Sequence, residues 1–394
     1  MSNASQTSAG PSARGGSTQA LCLLVLAVYT PLAAYLFRAT QHTGDGAAYT
    51  LQAAGGAALD RAVHGGWLVP LSGWTRALEW LGVAPSAATN LLSLIAMGGA
   101  LAGIAVLGAE LAAGRGRRWD GLLAPATAMG AVVVWDAATF CEIYGPLAAF
   151  CVGAVLAGRR GRWPAAAAWL FLALATHPGA LALLPGLLVL GSRAPDGSQP
   201  AQPQWAQVGL AGAGALALAA LWVLLLGPDA WLGPRGILAP GADVGPWQAL
   251  QRAWRLLARD LGITALPLLI GAVAAWSGDD APRRRWLLGV GLLLGGTVVG
   301  LDRFSDNPAG LPLFLLACPL AALAPSAVRT LPSRARRASV VLLGAILVLG
   351  VAEATTRQDA VARRAVREQA LRAEQCAQPP EAWAERMLLA LACD

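Results

Sequence analysis

Residues 170–191 read LFLALATHPGALALLPGLLVLG, two apolar runs that meet at His177-Pro178-Gly179. Because a helix needs about 20 residues to cross the hydrocarbon core of a bilayer, the stretch fits either one helix kinked at Pro178 or the turn between two short helices. Whether this stretch crosses the membrane once or twice decides the topology, since one extra crossing inverts the orientation of every later segment. A turn between short helices has to be buried in protein or line a cavity, because lipid does not tolerate irregular backbone.

The composition of the whole chain is that of a membrane protein. Its 394 residues are 56% hydrophobic and only 13% charged, with a mean hydropathy of +0.54, whereas soluble domains are roughly 25% charged. Backbone groups in lipid must be hydrogen-bonded within their own segment, so the recurring apolar runs are predicted helices. We therefore predict an all-α polytopic membrane protein with about eleven transmembrane helices. The predicted spans are 19–37, 87–113, 121–139, 145–157, 163–176, 178–191, 206–226, 261–276, 286–300, 310–324 and 339–352.

The positions of the arginines predict the orientation of the chain. All 29 basic residues are arginine, and clusters follow the second, fourth, eighth and tenth predicted spans, which puts every cluster on one side. Short cytoplasmic loops are enriched in arginine. A single kinked helix at 170–191 would move the later clusters to the opposite side, so the count favours two helices there. The clusters are Arg115, Arg117, Arg118, Arg159, Arg160, Arg162, Arg283, Arg284, Arg285, Arg329, Arg334, Arg336 and Arg337.

This orientation divides the chain into three parts. Residues 1–18 are rich in serine and glycine and are expected to be a disordered cytoplasmic N-terminus. Residues 19–352 form the multispanning domain. Residues 353–394 form an extracytoplasmic helical tail, in which Cys376 and Cys393 could pair if the compartment is oxidising. The predicted location is the bacterial inner membrane. Because the arginines lie in loops, the net charge of +7 does not predict nucleic acid as a partner.

Ionisable residues gather on the predicted outer face. All three histidines lie there, with several carboxylates and one arginine: His42, Asp45, Asp60, His64, Glu142, His177, Asp302, Arg303 and Asp306. The first outer loop, 38–86, contains TGDGAAY at 43–49. It also contains an aromatic stretch from Trp67 to Leu81 that suits a helix lying in the membrane interface. In that stretch Trp74, Leu78 and Leu81 are spaced for one helical face.

Glu142 lies in a hairpin only a few residues long, within VVVWDAATFCEIYGPLAAF at 132–150. A carboxylate at membrane depth costs a few kcal/mol unless it is partnered, which makes Glu142 a functional candidate. The alternative is a Glu142 solvated at the surface, with Tyr144 as an ordinary interface anchor.

Arg303 lies between Asp302 and Asp306 in GLDRFSDNPAGLPLF, at 300–314. Its planar, permanently charged guanidinium suits a phosphate, and the alternative is a local ion pair with either aspartate. Arg235 is a second candidate for a phosphate. Arg235 lies in the predicted outer loop 227–260. Farther along the same loop, three arginines at helical spacing are expected to form the polar face of an interfacial helix: Arg252, Arg255 and Arg259.

Signatures of soluble enzymes are missing from the sequence. No Walker-type loop, dinucleotide fingerprint, CxxC pair or HExxH motif is present, so neither nucleotide-dependent chemistry nor a metal site is predicted.

Four segments in this order resemble the DUF2723 family of GT-C-type polytopic glycosyltransferases, which includes protein O-mannosyltransferases. The loop TGDGAAY is similar to the family's Asp-containing loop, and HGGWLVP with TNLLSLIAMGGAL to its His-Pro segment and Asn-Leu-Leu-Ser helix. WDAATFCEIYGPL is similar to its Trp…Glu-x-Tyr stretch, and ATHPGALALLPGLL to its histidine-tipped helix. The resemblance covers residues 20 to 190, and more weakly extends to 324.

The resemblance implies sugar transfer on the outer face from a polyprenyl-phosphate donor to a hydroxyl of a protein or glycan. No cofactor other than the lipid-linked sugar is implied, and a need for a divalent metal stays open. Asp45 is the expected base, and Glu142 the second catalytic residue. The expected substrate-binding residues are His64, Tyr144, His177, Asp302 and Arg303, of which Arg303 would hold the donor phosphate.

Two departures from the family pattern fall near the implied site. The acidic residue that follows the loop aspartate in the family is missing, because Gly46, Ala47 and Ala48 follow Asp45. The paired prolines after the histidine are also replaced, by Gly65 and Gly66. Two other functions therefore stay open: a non-catalytic transporter or flippase of lipid-linked or small-molecule cargo, and an inactive accessory subunit. A transporter would favour ionisable residues at mid-membrane and repeated halves, neither of which the sequence shows.

Overall fold

The computed structural model describes residues 11–36, 50, 53, 65–112, 121–139, 143–177, 179–192, 205–226, 245–261, 264, 281–303, 337–338, 341–356 and 359. Every regular element among them is a helix. In chain order the helices are α1 (Pro11–Leu36), α2 (Gly65–Trp80), α3 (Pro85–Ala112), α4 (Leu123–Met129), α5 (Val132–Thr139), α6 (Tyr144–Arg159), α7 (Trp163–Thr176), α8 (Ala180–Gly191), α9 (Trp205–Leu226), α10 (Pro246–Leu261), α11 (Ala281–Arg303) and α12 (Val341–Thr356).

Three described helices are long and apolar enough to cross a membrane by themselves: Thr18–Leu36, Pro85–Glu110 and Trp205–Leu225. A fourth crossing results if α5 and α6, whose axes differ by 109°, are counted as one broken span. Their outward leucines suit lipid, as at Leu210 of α9, which is 75% exposed. These helices make the chain an integral membrane protein. The predicted count of about eleven spans is not confirmed, and the predicted spans 261–276 and 310–324 lie almost wholly outside the described residues.

The segment 170–191 forms two helices, as the arginine count predicts. The chain leaves α7 at His177, whose φ of −149° and ψ of 121° are extended. It then returns as α8, which ends with Gly191 against Gly158, near the last residue of α6. The prediction of a helical hairpin with His177 at its tip is therefore confirmed.

The predicted span 121–139 is divided. Helix α4 ends at Met129 and α5 begins at Val132, with Gly130 and Ala131 between them. A Cβ on Gly130 would lie 2.7 Å from Thr264 Cγ2 and 2.9 Å from Ile346 Cγ2, so residues distant in sequence pack into this break. The Trp135 indole N–H donates to the carbonyl oxygen of Met129 at 2.7 Å and satisfies one of the acceptors that the break leaves. The prediction of one continuous helix is wrong at this point.

Helix α2 confirms the predicted helix after His64, but it packs through a different face. The buried residues are Trp67, Leu68, Leu71 and Thr75, while Leu81 just beyond the helix is 65% exposed. The indole N–H of Trp74 donates to the carbonyl oxygen of Ala88 at 2.8 Å, which fastens α2 to the start of α3. Exposed aromatic and apolar residues remain on its outer side, as an interfacial helix requires.

One end of the bundle carries the paired arginines. Glu110 at the end of α3 accepts from Arg159 at 3.3 Å and from Arg160 at 3.5 Å. The Arg159 guanidinium also lies 5.4 Å from the ring centroid of Trp286. At the start of α11, the Arg285 guanidinium lies 4.5 Å from the ring centroid of Trp205, the first residue of α9. We call this the arginine end, defined by Glu110, Arg159, Arg160 and Arg285. Two of the predicted arginine clusters, at 159–162 and 283–285, therefore lie at the same end of the bundle.

Helices α8 and α11 form the most extensive antiparallel contact, and glycines allow it. A Cβ on Gly186 would lie 2.5 Å from Leu293 Cγ, and one on Gly289 would lie 2.8 Å from Leu190 Cγ. Gly296 approaches the backbone of Ala182 so closely that no side chain fits. These contacts fix the register of the two helices over about two turns. The start of α11 is at the arginine end, so its last turn lies at the opposite end of the bundle.

Candidate functional site

Tyr144 and His177 come together at the end of the bundle opposite the arginines. Tyr144 begins α6 and is 9% exposed, and its ring centroid lies 6.3 Å from that of His177. Both are predicted substrate-binding residues, and 33 positions separate them in the sequence. We call this the histidine end, defined by Asn90, Tyr144 and His177. The α6–α7 turn at the arginine end brings the two aromatic residues to one level, because α6 and α7 run antiparallel from it.

The start of α6 packs closely against α3 and α5. A Cβ on Gly145 would lie 2.9 Å from the carbonyl oxygen of Ala137 and 3.1 Å from that of Ser93. Ser93 is eight residues after Pro85, the first residue of α3, which corresponds to about 12 Å along the helix axis. Glycine and proline follow Tyr144 in the sequence, and glycine is required here because the backbones of α3, α5 and α6 meet.

His177 is oriented by its own turn. The backbone N–H of Gly179 donates to His177 Nδ1 at 3.0 Å, and the backbone N–H of His177 donates to the carbonyl oxygen of Ala173 at 2.9 Å. Because Nδ1 accepts, the neutral imidazole carries its proton on Nε2. The imidazole can therefore donate a hydrogen bond through Nε2 to a sugar hydroxyl or a phosphate oxygen.

The N-terminal half of α3 presents buried polar residues to this end. Asn90 and Ser93 are one turn apart and both are 0% exposed. Neither polar atom of the Asn90 side chain, nor the Ser93 hydroxyl, has a hydrogen-bond partner in the part of the chain that the structure describes. Thr89 Oγ1 lies 3.2 Å from Oγ1 of Thr50, a residue between α1 and α2 in the sequence. Thr50 is five residues after Asp45, so this contact brings the chain that follows the predicted base back to α3.

The last turn of α11 lies at the histidine end. The register of α11 against α8, continued beyond Gly296 and Ala182, places the end of α11 opposite the residues that precede α8, which include His177. Asp302 and Arg303 are the last two residues of this helix. Their side chains are outside the described part of the structure. The backbone thus carries the predicted phosphate-binding arginine to the end where Tyr144 and His177 meet.

Three predicted site residues lie outside the described residues: Asp45, His64 and Glu142. The predicted disulfide between Cys376 and Cys393 and the predicted phosphate ligand Arg235 lie outside them as well. Within the described ranges, no group of three or more His, Cys, Asp or Glu side chains could hold a metal ion.

The sequence-based prediction of the site did not include Asn90 and Ser93, which the structure buries near the start of α6. Both residues fall inside TNLLSLIAMGGAL, where they contribute to the family resemblance and otherwise resemble tolerated polar residues of a long apolar helix. Their spacing of three residues, which puts two polar side chains on one face of a membrane span, was the available signal.

No family model matches the chain, and no curated protein does. Among solved structures, the chain is similar to ArnT from Cupriavidus metallidurans. The apo ArnT structure gives a TM-score of 0.55 with 16% identity, over 81% of this chain and 61% of ArnT. The structure of ArnT bound to undecaprenyl phosphate gives 0.54 with 17% identity, over 82% and 63%. The fold of this chain is therefore similar to that of ArnT, and the chain spans less than two thirds of the length of ArnT.

Proposed function

We propose that this protein is a membrane glycosyltransferase that moves a sugar from a polyprenyl-phosphate donor to a hydroxyl acceptor. The observation that carries the proposal is the meeting of Tyr144 and His177, at 6.3 Å between ring centroids, at one end of a GT-C-like bundle. Undecaprenyl phosphate is bound in one ArnT structure of the same fold. A lipid of that class is therefore the donor we propose for this chain.

In the proposed reaction the acceptor oxygen attacks the anomeric carbon of the sugar. The bond between that carbon and the phosphate oxygen breaks, and polyprenyl phosphate leaves with the bonding electrons. Asp45 takes the proton of the acceptor hydroxyl, and Arg303 stabilises the charge that develops on the phosphate. His177 donates from Nε2 to the sugar or phosphate, Tyr144 and His64 contact the donor, and Asp302 orients Arg303. Glu142, two residues before Tyr144, orients the acceptor.

The arginine end is the proposed cytoplasmic side, because short cytoplasmic loops are enriched in arginine. The histidine end then faces outward from a bacterial inner membrane, with the N-terminus inside and the tail outside. The departures from the family pattern near Asp45 leave the acceptor broader than a protein hydroxyl, so a glycan hydroxyl fits equally. From the sequence resemblance to DUF2723, we propose that the transfer is of the O-mannosyl type.

The test is transfer of labelled sugar by the purified full-length protein reconstituted in liposomes with a polyprenyl-phosphate sugar. Hydroxyl-bearing peptides and oligosaccharides serve as acceptors in parallel. We expect label in an acceptor and an equal amount of released polyprenyl phosphate. Movement of intact labelled lipid between leaflets without release of polyprenyl phosphate would instead establish a flippase. Absence of both would contradict the proposal.

A further inference from the structure

Asn90 and Ser93 are two buried polar residues on α3 that the proposed reaction does not use. A side-chain amide can donate two hydrogen bonds and accept two, and a serine hydroxyl can donate one and accept two. Both side chains are 0% exposed, and none of their polar atoms has a partner within the described ranges. Burying such groups without hydrogen bonds is costly, more so in a low-dielectric membrane interior. Their retention is explained if they bind a ligand.

The contacts of neighbouring atoms place these residues near the start of α6. A Cβ on Gly145, the residue after Tyr144, would lie 3.1 Å from the carbonyl oxygen of Ser93. Thr89, directly before Asn90, contacts Thr50 at 3.2 Å, and Thr50 is five residues after Asp45 in the sequence. This part of α3 therefore lies close both to Tyr144 and to the chain that follows the proposed base.

The chemistry of these side chains is neutral. An amide and a hydroxyl match a group that both donates and accepts hydrogen bonds, which is what a sugar hydroxyl does. A phosphate or carboxylate would instead select charged donors such as an arginine guanidinium. Arg303, the proposed phosphate ligand, belongs to α11 rather than to α3. The sugar and the phosphate of the proposed donor would therefore be bound by residues of different helices.

We propose that Asn90 and Ser93 form a neutral subsite on α3 that binds hydroxyl groups of the sugar carried by the polyprenyl-phosphate donor. This inference rests on the proposed function and deepens it, since it names the residues that distinguish the sugar-bearing lipid from the bare lipid phosphate. Asn90 contributes both a donor and an acceptor, and Ser93 lies one helical turn deeper on the same face.

The test compares two ligands on the full-length protein in lipid nanodiscs. Dissociation constants are measured for polyprenyl phosphate and for polyprenyl-phosphate mannose and polyprenyl-phosphate glucose, each presented separately. The variants are Asn90→Leu, which removes the carbonyl oxygen and the NH₂ group of the side-chain amide at similar volume, and Ser93→Ala, which removes one hydroxyl. The matched control is Thr127→Val, because Thr127 is also buried but its hydroxyl donates to the carbonyl oxygen of Leu123 at 2.7 Å.

We expect the wild-type protein to bind at least one sugar-bearing lipid about tenfold more tightly than polyprenyl phosphate. Asn90→Leu and Ser93→Ala should lose most of that preference and keep the affinity for polyprenyl phosphate, whereas Thr127→Val should change neither. The thermal midpoint of Asn90→Leu should equal or exceed that of the wild type, because no described partner of Asn90 is lost. If Asn90→Leu does not fold, Ser93→Ala decides.

The inference is overturned if both folded variants keep the preference for the sugar-bearing lipid, or if the wild-type protein has none. Failure of the proposed function gives a different result. In that case the wild-type protein would transfer no sugar, while the preference for the sugar-bearing lipid and its loss in the variants would still be seen in the binding measurement.

Discussion

At the arginine end, the carboxylate of Glu110 is held by Arg159 and Arg160 at 3.3 and 3.5 Å, and Arg159 also contacts Trp286. At the histidine end, Asn90 and Ser93 are fully buried without a hydrogen-bond partner in the described part of the chain. The charged side chains at the first end are thus partly exposed and paired with one another, whereas these two neutral side chains at the second end are enclosed without a described partner.

The proposed function accounts for this difference. Ion pairs at a bundle terminus fix helices relative to each other, and they contribute little to stability individually. Buried groups without partners reduce stability unless a bound molecule completes their hydrogen bonds, which is what we propose for a ligand at the histidine end. At the arginine end, Arg159 and Arg285 also lie against Trp286 and Trp205.

Replacing Asp45 by asparagine should have the largest effect. Without a carboxylate to accept the proton of the acceptor hydroxyl, the transfer rate should fall by about 10²- to 10⁴-fold. The measurement is labelled transfer in proteoliposomes at matched protein levels. Asp60→Asn, in the same loop, is the control and should keep the wild-type rate. A fully active Asp45→Asn protein would remove Asp45 from the role of base.

Replacing Arg303 by glutamine should slow transfer by about 10²-fold, because a fixed positive charge on the leaving phosphate is lost. Arg303→Lys should recover part of the rate, since lysine keeps the charge and loses the planar fork. Arg285→Gln tests whether the two ends of the bundle differ in function, because Arg285 lies at the arginine end against Trp205. Equal loss of rate in Arg285→Gln and Arg303→Gln would show that the two ends do not differ in function.

Replacing Gly145 by alanine should destabilise the protein by about 1–3 kcal/mol, because the new Cβ would press on two backbone carbonyls. These are the carbonyl oxygens of Ala137 and Ser93, at 2.9 and 3.1 Å. The displacement should also reduce transfer, since Tyr144 is adjacent. Gly99→Ala on α3 is the matched control: nothing lies within 4 Å of its Cβ position, so it should be neutral or raise stability by up to about 1 kcal/mol. Thermal unfolding in detergent measures both.

Replacing Glu110 by glutamine should have the smallest effect, a loss of about 0–1 kcal/mol in the free energy of unfolding. Its side chain is 32% exposed and that of Arg160 is 43% exposed, so solvent screens the pair. Transfer should stay at the wild-type rate, and stability should depend less on salt than in the wild-type protein. A loss of transfer comparable to that of Arg303→Gln would mean that the arginine end takes part in the reaction.

Long apolar runs made many of the helices predictable from the sequence. The predicted spans 87–113, 163–176 and 206–226 correspond to Pro85–Ala112, Trp163–Thr176 and Trp205–Leu226. Lipid leaves a continuous apolar segment few alternatives to a helix. The break at Gly130 could not be predicted in the same way, because the groups that pack into it come from Thr264 and Ile346, more than a hundred residues away.

The candidate site was predictable where its residues carry distinctive chemistry. Tyr144 and His177 were both expected at one face, and they meet there. Asn90 and Ser93 were within reach of the same reasoning, but a polar residue in an apolar helix gains meaning only when its burial and its partners are known. Those depend on how α3 packs against the other helices, which no local pattern encodes.

The close contact at Gly145 ties the first turn of α6 to two other helices. Because this glycine lies against the carbonyl oxygens of Ala137 on α5 and Ser93 on α3, a shift of either helix along its axis would carry the start of α6 with it. The position of the Tyr144 ring is therefore set by the long apolar helix α3 as well as by α6 itself.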